Sequence, residues 1–194
     1  MEKVKTYIQQ LAFDGLNYTK GNVVDLLTSF GIICEEIPFK YKPEAKELPK
    51  RDWAGYHGAD VFTPDGGLPI KDYTLDVDFM YVGKDDYRAA QSDERKIRAD
   101  IKAFIDFLYG HAKAPGQSGG VQNGRLAIYN ERTAIGRKDV TVKKVDPKLF
   151  LCDPWDDECL ARFTVTFDIN DPVTDVSPTE NQQTGVVTDL TWSI

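Results

Sequence analysis

Histidine, methionine and cysteine are scarce in this chain of 194 residues, which contains two, two and three of them. An odd number of cysteines, in a chain whose start lacks an apolar signal-peptide core, argues against a disulfide framework. Cys152 and Cys159 have no second cysteine pair and no nearby histidine, so they form a poor zinc pattern. His57 and His111 lie in no H-E-x-x-H motif, and Cys34 is best explained as a buried core residue.

The chain also lacks an excess of basic residues and any long apolar run. Its formal net charge is −7 and its pI is about 4.9. Binding along a nucleic-acid backbone or an anionic membrane requires clustered Lys and Arg, so we expect neither activity. No run of about 18 apolar residues is present, so no membrane-spanning helix is predicted. The length and the hydrophobic content of 41% indicate one globular domain with its own core.

Helical spacing of apolar residues predicts three helices. The first covers residues 3–12, and a short second helix covers 22–30, where Gly31 is a good C-terminal stop. The third and clearest helix covers residues 92–110, with an apolar stripe along one face.

Alternation of apolar and polar side chains predicts the strands. A short strand over 32–37 follows the second helix, and the clearest alternation is DYTLDVDFMYVG, residues 72–83. The further strands are predicted over 125–131, 138–145 and 163–170, with a weak one in GVVTDLTW near the end of the chain.

These elements predict an α+β fold, with a mostly antiparallel sheet and helices packed on one face. We expect one domain over residues 1–172 and an extended C-terminal tail over 173–194. Residues 38–70 show no sustained period and form a long loop or arm within that domain, because their prolines and glycines interrupt any regular element.

Signals of chemistry are weak. Asp76, Asp78 and Asp168 fall on the polar faces of predicted strands, and three clustered carboxylates would suit Mg²⁺ or Ca²⁺. No calcium-loop spacing accompanies them, so solvated charges on amphipathic strands are the better interpretation. A second acidic cluster, DPWDDEC at 153–159, is interpreted as a polar loop tip. The sequence predicts no catalytic residue, no metal and no cofactor.

The order of the elements resembles the tail-terminator or tail-completion proteins of tailed bacteriophages. The resemblance covers about residues 70 to 172 and depends on the N-terminal helix, the strand–helix pair and the phrases AIGRKDVTV and FTVTFDINDP. It implies a ring, commonly of six subunits, that closes the tail tube and joins it to the head connector in the neck of the virion. It implies that the protein is not an enzyme and that it is made in the host cytoplasm.

Such a ring would bury exposed strand edges and loop aromatics against neighbouring subunits. DNA would only pass through its acidic lumen, and no membrane contact is expected. The alternatives are a small protein-binding adaptor that uses residues 38–70 and a metal-dependent hydrolase that uses the three aspartates. The candidate interface residues are five aromatics and a basic stretch: Phe39, Tyr41, Trp53, Tyr56, Phe62, Arg137, Lys138, Lys143 and Lys144. The alternative for the aromatics is a folded-back loop that covers the monomer's own core, and the alternative for the basic stretch is an ordinary solvated strand face.

Overall fold

The computed structural model describes residues 4–34, 36–41, 43–52, 58–84, 94–146, 150–151 and 160–193. Strands predominate over helices within these ranges. The elements are β1 Thr6–Phe13, β2 Tyr18–Asp25, α1 Leu26–Phe30, β3 Ile32–Ile33, β4 Lys50–Asp52, β5 Ala59–Val61, β6 Tyr73–Tyr81, α2 Glu94–Leu108, β7 Arg125–Asn130, β8 Ile135–Val145, β9 Phe150–Leu151, β10 Ala161–Ile169, β11 Ser177–Glu180 and β12 Val187–Thr191.

One antiparallel sheet organises the molecule, in the order β2-β1-β7-β8-β10-β6-β3, with β9 beside the start of β10. Helix α2 packs on one face of this sheet. Phe104 of α2 is fully buried, with its ring centroid 5.3 Å from those of Phe30 and Phe79 and 6.1 Å from that of Phe163. The main core therefore lies between α2, α1 and the inner side chains of the sheet.

The long elements with one buried face were predicted correctly. Strand β6 alternates more buried and more exposed side chains as expected, and β10 does so except at Thr166, which is buried; the two strands pair in register along their whole length. Helix α2 buries the predicted apolar stripe. The mostly antiparallel sheet of the predicted α+β fold is thus confirmed, whereas only two helices are present in the described chain, so helical packing is a smaller part of the fold than expected.

The predicted helix over residues 3–12 is wrong, because this segment is strand β1 in the interior of the sheet. Both faces of β1 are covered: Ile8 joins the main core, and Tyr7 and Leu11 join a second cluster on the other side. Burial on both sides removes the polar–apolar alternation that marks a strand, and the remaining apolar spacing imitates a helix. The N-terminal helix on which the family resemblance partly depends is therefore absent from this structure.

The short second helix is confirmed only in its last turn. Residues 18–25 form β2, and α1 begins after Asp25, whose side chain accepts a hydrogen bond from the Leu27 backbone N–H at 3.0 Å. Gly31 ends the helix in the left-handed conformation, as predicted. The predicted strand 32–37 is reduced to two residues, although Ile37 remains buried beyond it.

The C-terminal residues form a hairpin, β11–β12, that lies against the second face of the sheet. Val176, Val187 and Leu190 pack there on Tyr7 and Leu11 in a cluster separate from the main core. The hairpin covers the part of this face formed by β1 and its neighbours. The same face carries mostly polar side chains instead at β6 and β10, exposed at Asp76, Asp78 and Arg162 and half-buried at Thr164 and Asp168.

Candidate interaction surfaces

The excursion after β3 contains a paired ribbon formed by residues 44–52 and 58–71, which we name the arm. At its base Ala45 pairs with Ile70, and the Lys71 N–H donates to the Glu44 carbonyl at 2.7 Å. Further out, β4 and β5 form a two-stranded antiparallel sheet of their own. Backbone hydrogen bonds therefore hold together a segment whose sequence shows no strand period.

The arm exposes apolar side chains. All six residues of β4 and β5 are exposed, and these strands pair with no other strand of the described chain. Phe62 is 67% exposed and Leu68 is 52% exposed. A two-stranded ribbon with neither face packed has little stability of its own, so the apolar groups on this one are available to a partner.

A second exposed region is the polar half of the sheet's second face. We define the outer face by the side chains of three adjacent strands that point away from α2: Thr74, Asp76, Asp78, Met80, Thr141, Lys143, Lys144, Arg162, Thr164, Thr166 and Asp168. Thr164 donates to Asp78 at 2.6 Å, and Thr166 donates to Asp76. Cross-strand hydrogen bonds thus fix the carboxylates of β6 over the threonines of β10.

The three aspartates proposed as a metal site share this outer face but do not converge. Asp168 forms an ion pair with Lys143 at 3.4 Å, whereas Asp76 and Asp78 accept hydrogen bonds from threonines. Among the residues that the structure describes, no group of three His, Cys, Asp or Glu is arranged to hold a metal ion. The geometry gives the hydrolase alternative no support.

Polar contacts join the C-terminal hairpin to β1 and β2. Lys20 Nζ donates to Asp189 at 2.9 Å and to the Leu190 carbonyl at 2.7 Å, and it lies 4.3 Å from the Trp192 ring centroid. The Gln9 amide donates to Asp189 at 2.9 Å. Partial burial raises the pKa of Asp189, but the hydrogen bonds from Lys20 and Gln9 outweigh it and leave the pKa below its ordinary value.

Several of the predicted interface residues contribute to the subunit's own fold. Phe39 lies in the main core, and Arg137 is buried, with its guanidinium paired to Asp175. Lys138 is largely covered and forms an ion pair with Asp171 at 3.4 Å. In this structure, these three side chains are occupied within the monomer.

The remaining predicted interface residues are on the surface or outside the described chain. Tyr41 is 78% exposed beside the base of the arm, and Phe62 lies on the arm itself. Lys143 and Lys144 are exposed on the outer face. Trp53 and Tyr56, like the acidic loop tip at 153–159, lie outside the described residues.

The chain has a weak likeness to a solved structure. No protein-family model matches the chain, and no curated protein matches it. Among solved structures, it is similar to the Dit protein (gp 19.1) of phage SPP1, described as a paradigm of the hub adsorption apparatus in phages that infect Gram-positive bacteria. The identity is 16%, the TM-score is 0.44, and the match covers 89% of this chain and 52% of the Dit chain, which is too weak a likeness to carry an argument.

A helix that spans a bilayer needs about 20 consecutive, mostly apolar residues. Neither α1 nor α2 has both the length and the apolar character required to cross a membrane.

Proposed function

We propose that the protein is a structural component of a phage tail or neck that assembles with copies of itself into a ring. The ring would end or complete the tail tube and join it to the head connector, with DNA passing through without being bound. The protein would reside in the virion after synthesis in the host cytoplasm, with no membrane contact. It would carry out no bond-making chemistry.

One observation carries this proposal: the arm exposes Val61, Phe62 and Leu68 on a ribbon that the subunit's own core does not cover. Apolar side chains on a hydrogen-bonded ribbon are suited to packing on a neighbouring molecule, because the ribbon has already lost much of its backbone entropy. The sequence resemblance to tail-completion proteins supplies the kind of assembly, and burial between copies supplies the free energy.

Deleting the arm tests the proposal. The Lys46–Pro69 hydrogen bond brings the two strands of the ribbon together at 2.8 Å, so residues 47–68 can be replaced by a short Gly-Ser turn without moving the sheet. We expect the shortened protein to keep the circular-dichroism spectrum of the full chain and to be a monomer by light scattering, while the full chain forms an oligomer. A full chain that remains monomeric at high concentration and on isolated tail tubes would contradict the ring.

The adaptor alternative depends on the same arm, and the number of subunits in the free protein distinguishes it from the ring. An adaptor that binds a different protein through the arm remains a monomer by itself. In that case Phe62→Ser would weaken capture of that protein and leave the mass of the free chain unchanged. For a ring-forming protein, the same substitution lowers the mass.

A further inference from the structure

Four of the six charges on the outer face form two rows, and the other two, Arg162 and Asp168, lie on β10 between them. Asp76 and Asp78 follow one another on β6, and Lys143 and Lys144 lie at the bulge of β8, with β10 between them. Thr166 is opposite Asp76 on one side and Lys144 on the other, so one line across three strands runs from acid through hydroxyl to base. Two strand spacings put about 10 Å between the acidic row and the basic row.

Among the described residues, most of the charges in these two rows have no ion-pair partner. In the described chain, Asp76 and Asp78 receive hydrogen bonds from neutral hydroxyls and form no ion pair, and Lys144 forms none either. Lys143 pairs with Asp168 at 3.4 Å, but its side chain is still 53% exposed. The threonine hydroxyls also restrict the carboxylate rotamers, so less entropy is lost when a cation approaches.

We propose that the outer face is a self-complementary contact surface, on which the acidic row of one copy meets the basic row of a second copy. The occupant is a copy of this chain, because each copy presents both rows on one rigid sheet and supplies the charge that the other lacks. Between the two rows, the side chains opposite Asp78 and Asp76 are the short Thr164 and Thr166, with Arg162 and Asp168 further along β10 on either side of them. The inference rests on the proposed self-assembly and names the surface that specifies it.

Charge reversal on each row tests this contact. Variant A carries Asp76→Lys and Asp78→Lys, and variant B carries Lys143→Glu and Lys144→Glu. Variant A then has two basic rows and variant B has two acidic rows, so each repels itself and attracts the other. We expect self-association of A or B alone to weaken by about 10- to 100-fold, measured by sedimentation velocity at low salt.

Mixing provides the decisive measurement. Equal amounts of A and B are expected to restore the wild-type mass as alternating assemblies, and that mass gives the symmetry: two copies for a two-fold contact, a larger even number for a ring. The combined variant with all four reversals should assemble like the wild type. Raising the salt concentration should weaken wild-type assembly, because exposed charge pairs are screened.

Control variants separate the contact from general charge effects and from misfolding. Glu180→Lys on β11 and Lys96→Glu on α2 reverse exposed charges elsewhere and should leave the mass unchanged. Because Lys143→Glu places a carboxylate beside Asp168, the neutral pairs Asp76→Asn with Asp78→Asn and Lys143→Gln with Lys144→Gln are measured as well. Each is expected to weaken association less than reversal does, at an unchanged melting temperature.

Each outcome decides the inference. If A and B alone associate like the wild type, or if their mixture fails to assemble, the outer face is not the contact, while loss of assembly on arm deletion still supports the proposed ring. If the wild type is monomeric under all conditions, both proposals fail. If the controls weaken association as much as A and B, net charge and not this surface governs assembly.

Discussion

Gln10 offers a sharp test of the fold, because its amide joins the buried strand β1 to the end of helix α2. Its Nε2 donates to the Phe107 carbonyl at 2.7 Å and to the Ala112 carbonyl at 3.0 Å, and only 2% of the residue is exposed. The last carbonyls of a helix have no partner within the helix, so this side chain satisfies a group that burial would otherwise penalise. Gln10→Leu keeps the size of the side chain and removes both hydrogen bonds.

The expected loss follows from these two bonds. Each contributes on the order of 1 kcal/mol, and leaving a buried carbonyl unpaired costs about 1–3 kcal/mol. The Phe107 carbonyl keeps a second donor, the Gly110 N–H at 3.0 Å, which reduces that penalty. The added apolar surface of leucine returns part of the loss, so we expect the free energy of unfolding to fall by about 2 kcal/mol.

Urea unfolding followed by circular dichroism measures this change. A chain of this size should lose about 4–8 °C in melting temperature for 2 kcal/mol. Gln182→Leu, at an exposed position of the C-terminal hairpin, is the matched control and should change stability by less than about 0.5 kcal/mol. A Gln10→Leu protein as stable as the wild type would refute the inference that the buried Gln10 amide stabilises the junction between β1 and the end of α2.

Three further substitutions test other parts of the structure. Burial raises the pKa of Tyr7 to about 12, so between pH 10 and 12 this side chain ionises in the unfolded chain and not in the folded one, and the wild type should lose stability. The Tyr7→Phe variant should lose less stability across that range, measured by urea titration. Gly31→Ala should destabilise by about 2 kcal/mol or more in thermal unfolding, because φ is +68° and a Cβ would lie 2.5 Å from the Gly83 carbonyl carbon. Gln9→Leu should speed hydrogen exchange in the C-terminal hairpin, whose Leu190 N–H donates to it at 3.3 Å, with little change in α2.

The sequence predicts elements well where one face is buried and the other is wet. Strands β6 and β10 and helix α2 are of this kind, and their periodicity is visible because water removes apolar residues from one side. Most of strand β1 is buried on both faces. Gln10 is satisfied by carbonyls about 100 residues away, and Gln9 by Asp189 as well as by the nearer Gly21, and no local pattern reveals the distant partners. The strands of the arm are not predicted for the opposite reason: both faces of β4 and β5 are exposed, so no alternation of apolar and polar residues is present.

The surfaces were partly predictable. Alternation alone places Asp76 and Asp78 on one polar face of a strand. It cannot place Lys144 opposite Thr166, because that alignment depends on which strands are neighbours and on the irregularity in the β8–β10 register. In the sequence, Arg137 and Lys138 appear equivalent to Lys143 and Lys144. Only the fold shows that Arg137 is buried and Lys138 half-buried, whereas Lys143 and Lys144 are exposed.

The second face of the sheet has an apolar half and a polar half, because different strands place different kinds of side chain on it. On β1 and β7 the outward side chains include Tyr7, Leu11 and Ala127, whose burial gains free energy, and a hairpin of the same chain covers them. On β6 they are Asp76 and Asp78, and an apolar cover would desolvate charge without compensation. Any molecule that covers Asp76 and Asp78 must therefore bring compensating cations to them, which makes this part of the surface selective before any shape is considered. Apolar packing by the chain's own hairpin therefore covers this face at β1 and β7, whereas the carboxylates of β6 are exposed.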